Sequence, residues 1–188
     1  MREMLKLGLV LAVVSAVTAG GLAAVNSAVK ATIAENNRLE AVLKRQQVFP
    51  AAKDFEMRRV DGREVYLAKD AAGASLGTVV TAAPRGYAGP IGMTIGIAPD
   101  GTVAGLAISK LDQTETPGLG VKVTLAAFRD RFRGKDAGAV RLKKDGGSID
   151  GITAATISSR AVANGVRDTL EWYRGHAAQI AGEARHGG

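Results

Sequence analysis

No charged side chain occurs between Leu7 and Val29. About 23 residues at 1.5 Å each cover the ~30 Å hydrocarbon core of a bilayer, so residues 7–29 predict one membrane-spanning helix. Arg2 and Lys6 precede the run and assign residues 1–6 to the cytoplasmic side. The competing reading is a cleaved signal peptide, with Leu7 to Val17 as its apolar region and a processing site near Ala19-Gly20. Either reading sends the remainder of the chain across the membrane. Past Val29 the apolar positions thin out to Ala34, Leu39, Val42 and Leu43 at helical spacing, until Pro50 ends the pattern. Residues 30–50 therefore read as a helical stalk.

From residue 51 the period changes. Two alternating runs between Phe55 and Ala68 flank Asp61-Gly62, which signals a hairpin. Leu76 to Thr81 predicts another strand. Met93 to Ile97 and Val103 to Ser109 predict a second hairpin around Pro99-Asp100-Gly101. Val123 to Arg133 carries Leu125, Phe128 and Phe132 at helical spacing and ends at Gly134. Val140 to Leu142 suggests a short strand. The last helix is expected from Thr156 or Ile157 to about Ile180, with Ile157, Ala161, Val162, Gly165, Val166 and Leu170 on its apolar face. Antiparallel strands with segregated helices give an α+β domain over residues 51–182, followed by a frayed tail at 183–188.

Composition narrows the chemistry. The chain is 46% hydrophobic but only 4% aromatic, with 24 glycines, which implies a small, turn-rich core. It has no cysteine, so disulfides, thiolate metal sites, iron–sulfur ligation and a cysteine nucleophile are excluded. Two histidines, His176 and His186, leave almost nothing for a zinc site or a Ser-His-Asp triad. Redox chemistry would thus need an organic cofactor. The net charge of +7 is scattered in pairs such as Arg58-Arg59 and Lys143-Lys144, with no interleaved aromatics for base stacking. A solvated basic face is expected, and no nucleic-acid partner.

Two stretches differ from ordinary scaffold. Asp150-Gly151-Ile152-Thr153-Ala154-Ala155-Thr156-Ile157-Ser158-Ser159 places hydroxyls and small residues at a helix start, where backbone amides favour an anion, phosphate above all. The plainer reading is an N-cap at Thr153 or Thr156. Thr114-Glu115-Thr116-Pro117-Gly118-Leu119-Gly120 is a loop of defined shape, with one dihedral fixed by proline and two glycines free to adopt positive values. A mere turn fits it as well as a ligand-lining loop does.

The second stretch resembles the E-T-P-G-L-G signature of the FMN-binding domain family shared by RnfG, NqrC and related membrane flavoproteins. The first resembles that family's flavinylation signature, D-x-x-[S/T]-[G/A/S]-A-T, at Asp150, Thr153, Ala154, Ala155 and Thr156. Gly86-Tyr87-Ala88-Gly89-Pro90-Ile91 is similar to the family's G-Y-x-G-P-I segment. The three motifs and the N-terminal span stand in family order along almost the whole chain, and the short length is more like RnfG than NqrC. One departure is Thr153-Ala154 in place of the common Ser-Gly. The hydroxyl is kept, while Ala154 excludes any backbone geometry that only glycine can adopt.

The resemblance implies FMN joined through its phosphate to Thr156 by a separate flavin transferase. Asp150, Thr153, Ala154, Ala155 and Ser158 would surround the attachment point, with Arg160 either assisting electrostatically or facing solvent. It also implies that Glu115, Thr116, Gly118, Leu119 and Gly120 pack on the isoalloxazine, with Lys122 as a phosphate or ring partner. No catalytic acid or base and no metal is expected. The implied setting is the cytoplasmic (inner) membrane, as an electron-carrying subunit of an Rnf-type ion-translocating ferredoxin:NAD+ oxidoreductase beside RnfA, RnfB, RnfC, RnfD and RnfE, with the flavin domain on the outer face. An NqrC-like subunit of a Na+-translocating quinone reductase and a cofactor-free membrane-anchored scaffold are the alternatives.

Overall fold

A computed structural model of the chain describes residues 2–87, 89–109 and 123–182. The first element, α1 (Arg2–Val48), is one uninterrupted helix. Its most apolar stretch has a mean hydropathy of 2.2, none of it covered by protein, so it is long and apolar enough to cross a membrane. Leu7, Leu11, Val17 and Leu22 are all exposed. The chain divides into two units, Met1–Val42 and Leu43–Gly188.

The second unit is built on a five-stranded antiparallel sheet in sequence order, a meander. Its strands are β1 (Asp54–Val60), β2 (Arg63–Lys69), β3 (Ser75–Ala82), β4 (Met93–Ile97) and β5 (Val103–Ile108). Turn chemistry explains the order. Asp61 and Gly62 both have positive φ, +50° and +73°, as a two-residue hairpin whose twist matches its strands requires. The Asp70 carboxylate accepts the amides of Ala72 and Ala74 at 2.8 and 2.9 Å and closes the β2–β3 turn. Asp100 does the same at β4–β5, accepting Thr102 N–H at 2.9 Å and Thr102 Oγ–H at 2.7 Å.

Two clusters fill the two faces of the sheet. On one, α3 (Thr156–Gly182) buries Val162, Val166 and Leu170 with Val65, Ile95, Phe128 and Phe132. Gly165 lets this helix come close, since a Cβ there would stand 2.7 Å from both Met93 Cε and Pro84 Cγ. On the other, Val48, Phe49 and Ala52 pack with Ala68, Val79 and Ala107.

Three expectations need correction. The segment 123–133 is no continuous helix: α2 covers Ala126–Arg129 and a 3₁₀ turn follows at Asp130–Phe132. Leu125 has extended dihedrals (φ −68°, ψ 142°), so it stands before the helix and is 55% exposed instead of joining Phe128 and Phe132 in the core. Residues 140–142 form no strand; only Leu142 pairs, through one parallel bridge to Ile149, and Val140 is buried from a loop. Ile157 is 55% exposed, because the first turn of α3 points Ser158 and Ser159 inward, in line with Val162. The other strands and the start of α3 stand where the sequence pattern predicts them.

Candidate functional site

The motif segment is anchored at both ends before it enters α3. Lys143 Nζ donates to the Asp150 carboxylate at 2.8 Å, and Arg131 Nη1 donates to the Asp150 carbonyl at 2.5 Å. Lys143 lies in the 3₁₀ turn Lys143–Asp145, which Gly146 leaves with φ +81°. Asp145 in turn accepts two hydrogen bonds from Arg160 of α3, both at 2.8 Å. The lysine hydrogen bond at Asp150 holds its carboxyl below the usual carboxylate range, as the Arg160 guanidinium does for Asp145. Both aspartates are exposed, so these pairs orient the loop more than they stabilise the fold.

Within the segment, Ala155 N–H donates to Ile152 O at 3.0 Å and Ser159 N–H to Ala155 O at 2.9 Å. Ala155 therefore takes the N-cap position with its backbone alone, and Thr156 is the first helical residue. Neither threonine hydroxyl makes a hydrogen bond among the described residues, so the N-cap reading of Thr153 or Thr156 fails. Thr153 and Ala154 are exposed and Thr156 is half-buried, while Ala155 and Ser158 are buried. The amides of Thr156 and Ile157 likewise have no partner among the described residues.

Ala154 has φ +63°. This is the position where the signature commonly carries glycine, and the left-handed conformation explains that choice. A Cβ there is tolerated at a cost of about 1–2 kcal/mol, so alanine fits but strains the loop.

The arrangement suits an esterified phosphate. Small residues precede Thr156, the amides of Thr156 and Ile157 are donors without a partner among the described residues, and the positive end of a 27-residue helix favours negative charge there. Arg160, expected as an electrostatic helper, is instead committed to Asp145. Sequence reasoning missed Arg131, Lys143 and Asp145 as anchors, since no local pattern links them to residue 150. It also missed Ser159, whose hydroxyl accepts Ile152 N–H at 3.0 Å; the hydroxyl run before the helix was the one available signal.

The Gly86–Ile91 motif forms a tight reversal. Gly86 N–H donates to Gly89 O at 2.7 Å and Ile91 N–H to Pro84 O at 2.8 Å, while Arg85 and Pro90 make an isolated bridge. Ile91 is buried and Tyr87 is 73% exposed. Ala88 lies outside the described residues, as do Glu115, Thr116, Gly118, Leu119, Gly120 and Lys122.

Residues 86–171 match the family model described as an FMN-binding domain. The G subunit of the Na(+)-translocating ferredoxin:NAD(+) oxidoreductase complex of Acetobacterium woodii is 35% identical, over 90% of this chain and 91% of that protein. The G subunit of the ion-translocating oxidoreductase complex of Erwinia tasmaniensis is 33% identical, over 87% of each. The crystal structure of Shewanella oneidensis NqrC aligns with a TM-score of 0.49 and 23% identity, covering 65% of this chain and 67% of that one. With relatives of this similarity along nearly its full length, the chain belongs to the RnfG family of ion-translocating oxidoreductase subunits.

Proposed function

We propose that the protein carries electrons within a membrane-bound ion-translocating ferredoxin:NAD+ oxidoreductase, using FMN held by a phosphoester to Thr156. The observation that supports this most is the state of Thr156: a half-buried hydroxyl that, like the amides of Thr156 and Ile157, has no hydrogen bond among the described residues, on a segment held at Asp150 and Ile152.

Bound FMN supplies one- and two-electron transfer. The chain's own residues do the holding. Thr156 Oγ is the ester oxygen, and the amides of Thr156 and Ile157 are donors available to the charge that a phosphodiester retains. Asp150, fixed by Lys143 and Arg131, keeps the entering backbone in place, and Thr153 belongs to the segment that a flavin transferase reads. In the attachment step Thr156 Oγ loses its proton and forms the new P–O bond, while the P–O–P bridge of a flavin dinucleotide breaks and releases a nucleoside monophosphate. The motif at Glu115, Thr116, Gly118, Leu119 and Gly120 is assigned to the ring by its signature. A covalent tether keeps the flavin from dilution outside the cytoplasm, which fits residues 1–6 inside, 7–29 in the inner membrane and the flavin domain beyond it, beside RnfA, RnfB, RnfC, RnfD and RnfE.

Protein produced with a flavin transferase should run as a fluorescent band on a denaturing gel and weigh about 440 Da more than the bare chain. Thr156→Val should abolish both signals. A colourless, unmodified wild-type band sinks the proposal.

A further inference from the structure

Three hydrogen bonds at the α3 entrance form a closed circuit. Ile152 O accepts from Ala155 N–H at 3.0 Å, Ala155 O accepts from Ser159 N–H at 2.9 Å, and Ser159 Oγ accepts from Ile152 N–H at 3.0 Å. Two of the links are ordinary backbone bonds of a helix start. The third depends on one side chain, and Ser159 is fully buried. The circuit encloses Thr153 and Ala154, and Ala154 has the left-handed conformation that a Cβ disfavours. A chain segment does not hold such a conformation unless its surroundings impose it. Ser159 is the side chain that ties the start of the loop to the second half of the first helical turn.

We infer that Ser159 is a positioning residue: its hydroxyl locks the 152–155 loop in the shape from which Thr156 receives the flavin phosphate. The inference rests on the reading of Thr156 as the attachment point. The Ser159 hydroxyl hydrogen-bonds Ile152 N–H and not Thr156. It acts through the backbone of Ile152, whose N–H it accepts while Ala155 N–H holds the carbonyl on the other side of the Cα. Removing the hydroxyl leaves the Ile152 amide without its partner and frees the loop to leave the strained conformation. Thr156 would then be presented to the transferase in many geometries instead of one, which slows a reaction that depends on orientation.

The test uses the full chain in detergent, a flavin transferase and flavin adenine dinucleotide, with in-gel flavin fluorescence followed in time. Ser159→Ala should lower the initial labelling rate about tenfold or more, given how steeply rates depend on placement. Ser159→Thr, which keeps the acceptor oxygen, should restore most of it. Hydrogen exchange supplies a readout that needs no flavin: the Ile152 amide should be protected in wild type and in Ser159→Thr, and lose that protection in Ser159→Ala while amides in the middle of α3 keep theirs. Labelling of Ser159→Ala at the wild-type rate overturns the inference. So does an unprotected Ile152 amide in wild type, whatever the variants do. An unlabelled wild type strikes instead at Thr156 as the attachment point, and so separates the two failures.

Discussion

The two faces of the sheet solve the same packing problem in opposite ways. Facing α3, bulky side chains interdigitate: Phe128 and Phe132 meet edge to face at 5.3 Å, beside Ile91, Ile95, Leu142 and Ile149, all essentially buried. Facing Val48 and Phe49, the sheet offers three glycines among the smaller side chains of Ala68, Val79 and Ala107. Gly77, Gly96 and Gly105 lie on β3, β4 and β5, and the residues at the end of α1 rest on them. A Cβ on Gly105 would stand 2.9 Å from Val48 O and 3.0 Å from Val48 Cα; one on Gly96 would stand 3.0 Å from Phe49 Cε2. At Gly77, where φ is +148°, a Cβ would fall 2.3 Å from Ile97 O. One face is held by volume present and the other by volume absent, so they should fail under opposite substitutions.

The largest expected effect is on the bulky face. Phe132→Ala should cost about 3–5 kcal/mol, because the buried ring leaves a cavity that its neighbours cannot close. Chemical unfolding of the full chain in detergent measures it, and a loss below about 1 kcal/mol would show that this face repacks freely. The glycine face gives a smaller effect but a sharper one, since two principles predict opposite signs. Strand propensity alone makes Gly105→Val stabilising, as valine suits a strand better than glycine. Close approach makes it destabilising by about 1–3 kcal/mol, because the new side chain meets the backbone of Val48, which has no rotamer with which to yield. A stabilised Gly105→Val protein would remove the argument for the glycine face.

This contrast also marks where the sequence is legible. The α3 face is written in its period: Val162, Val166 and Leu170 recur at helical spacing, and the hairpins announce themselves at Asp61-Gly62 and Pro99-Asp100-Gly101. The glycine face is not, because a glycine in a strand signals a bulge, weakness or a close approach equally well, and only the partner decides. The same limit applies at the candidate site. Thr156 at the start of α3 could be read from local order. The anchors Arg131 and Lys143 could not, since they depend on which flanking segment folds back against Asp150; Ser159 stands in the hydroxyl run, but its partner Ile152 does not show there. Leu125 shows the converse error: its spacing fits a helix, but a helix that starts one residue later leaves it outside the core.

The smallest expected effect separates the faces by charge. At the far end of α3, Arg58 of β1 donates to Ile180 O at 3.0 Å and to Glu56 Oε1 at 2.8 and 3.0 Å, while Lys69 Nζ meets Glu56 Oε2 at 2.5 Å. The hydrogen bonds from Lys69, and then Arg58, hold the Glu56 carboxyl below its ordinary value of 4.5. A carboxylate lowered in the folded state contributes stability that is present above its unfolded value and is lost as the pH falls through the folded one. Acid should therefore loosen the hold of Arg58 on α3 as the pH falls beneath the ordinary range of Glu56, while the contacts of Val48 and Phe49 with the glycines, which involve no carboxylate, stay unchanged. Trp172, the chain's one tryptophan, lies on α3 and reports the change by its fluorescence. Asp100, Asp145 and Asp150 are also lowered, so the informative quantity is the difference between wild type and Glu56→Gln. Glu56→Gln should start slightly less stable at neutral pH and show a flatter acid limb. Identical limbs in the two proteins would mean that Arg58 holds the end of α3 through the Ile180 carbonyl alone, with Glu56 only a neighbour.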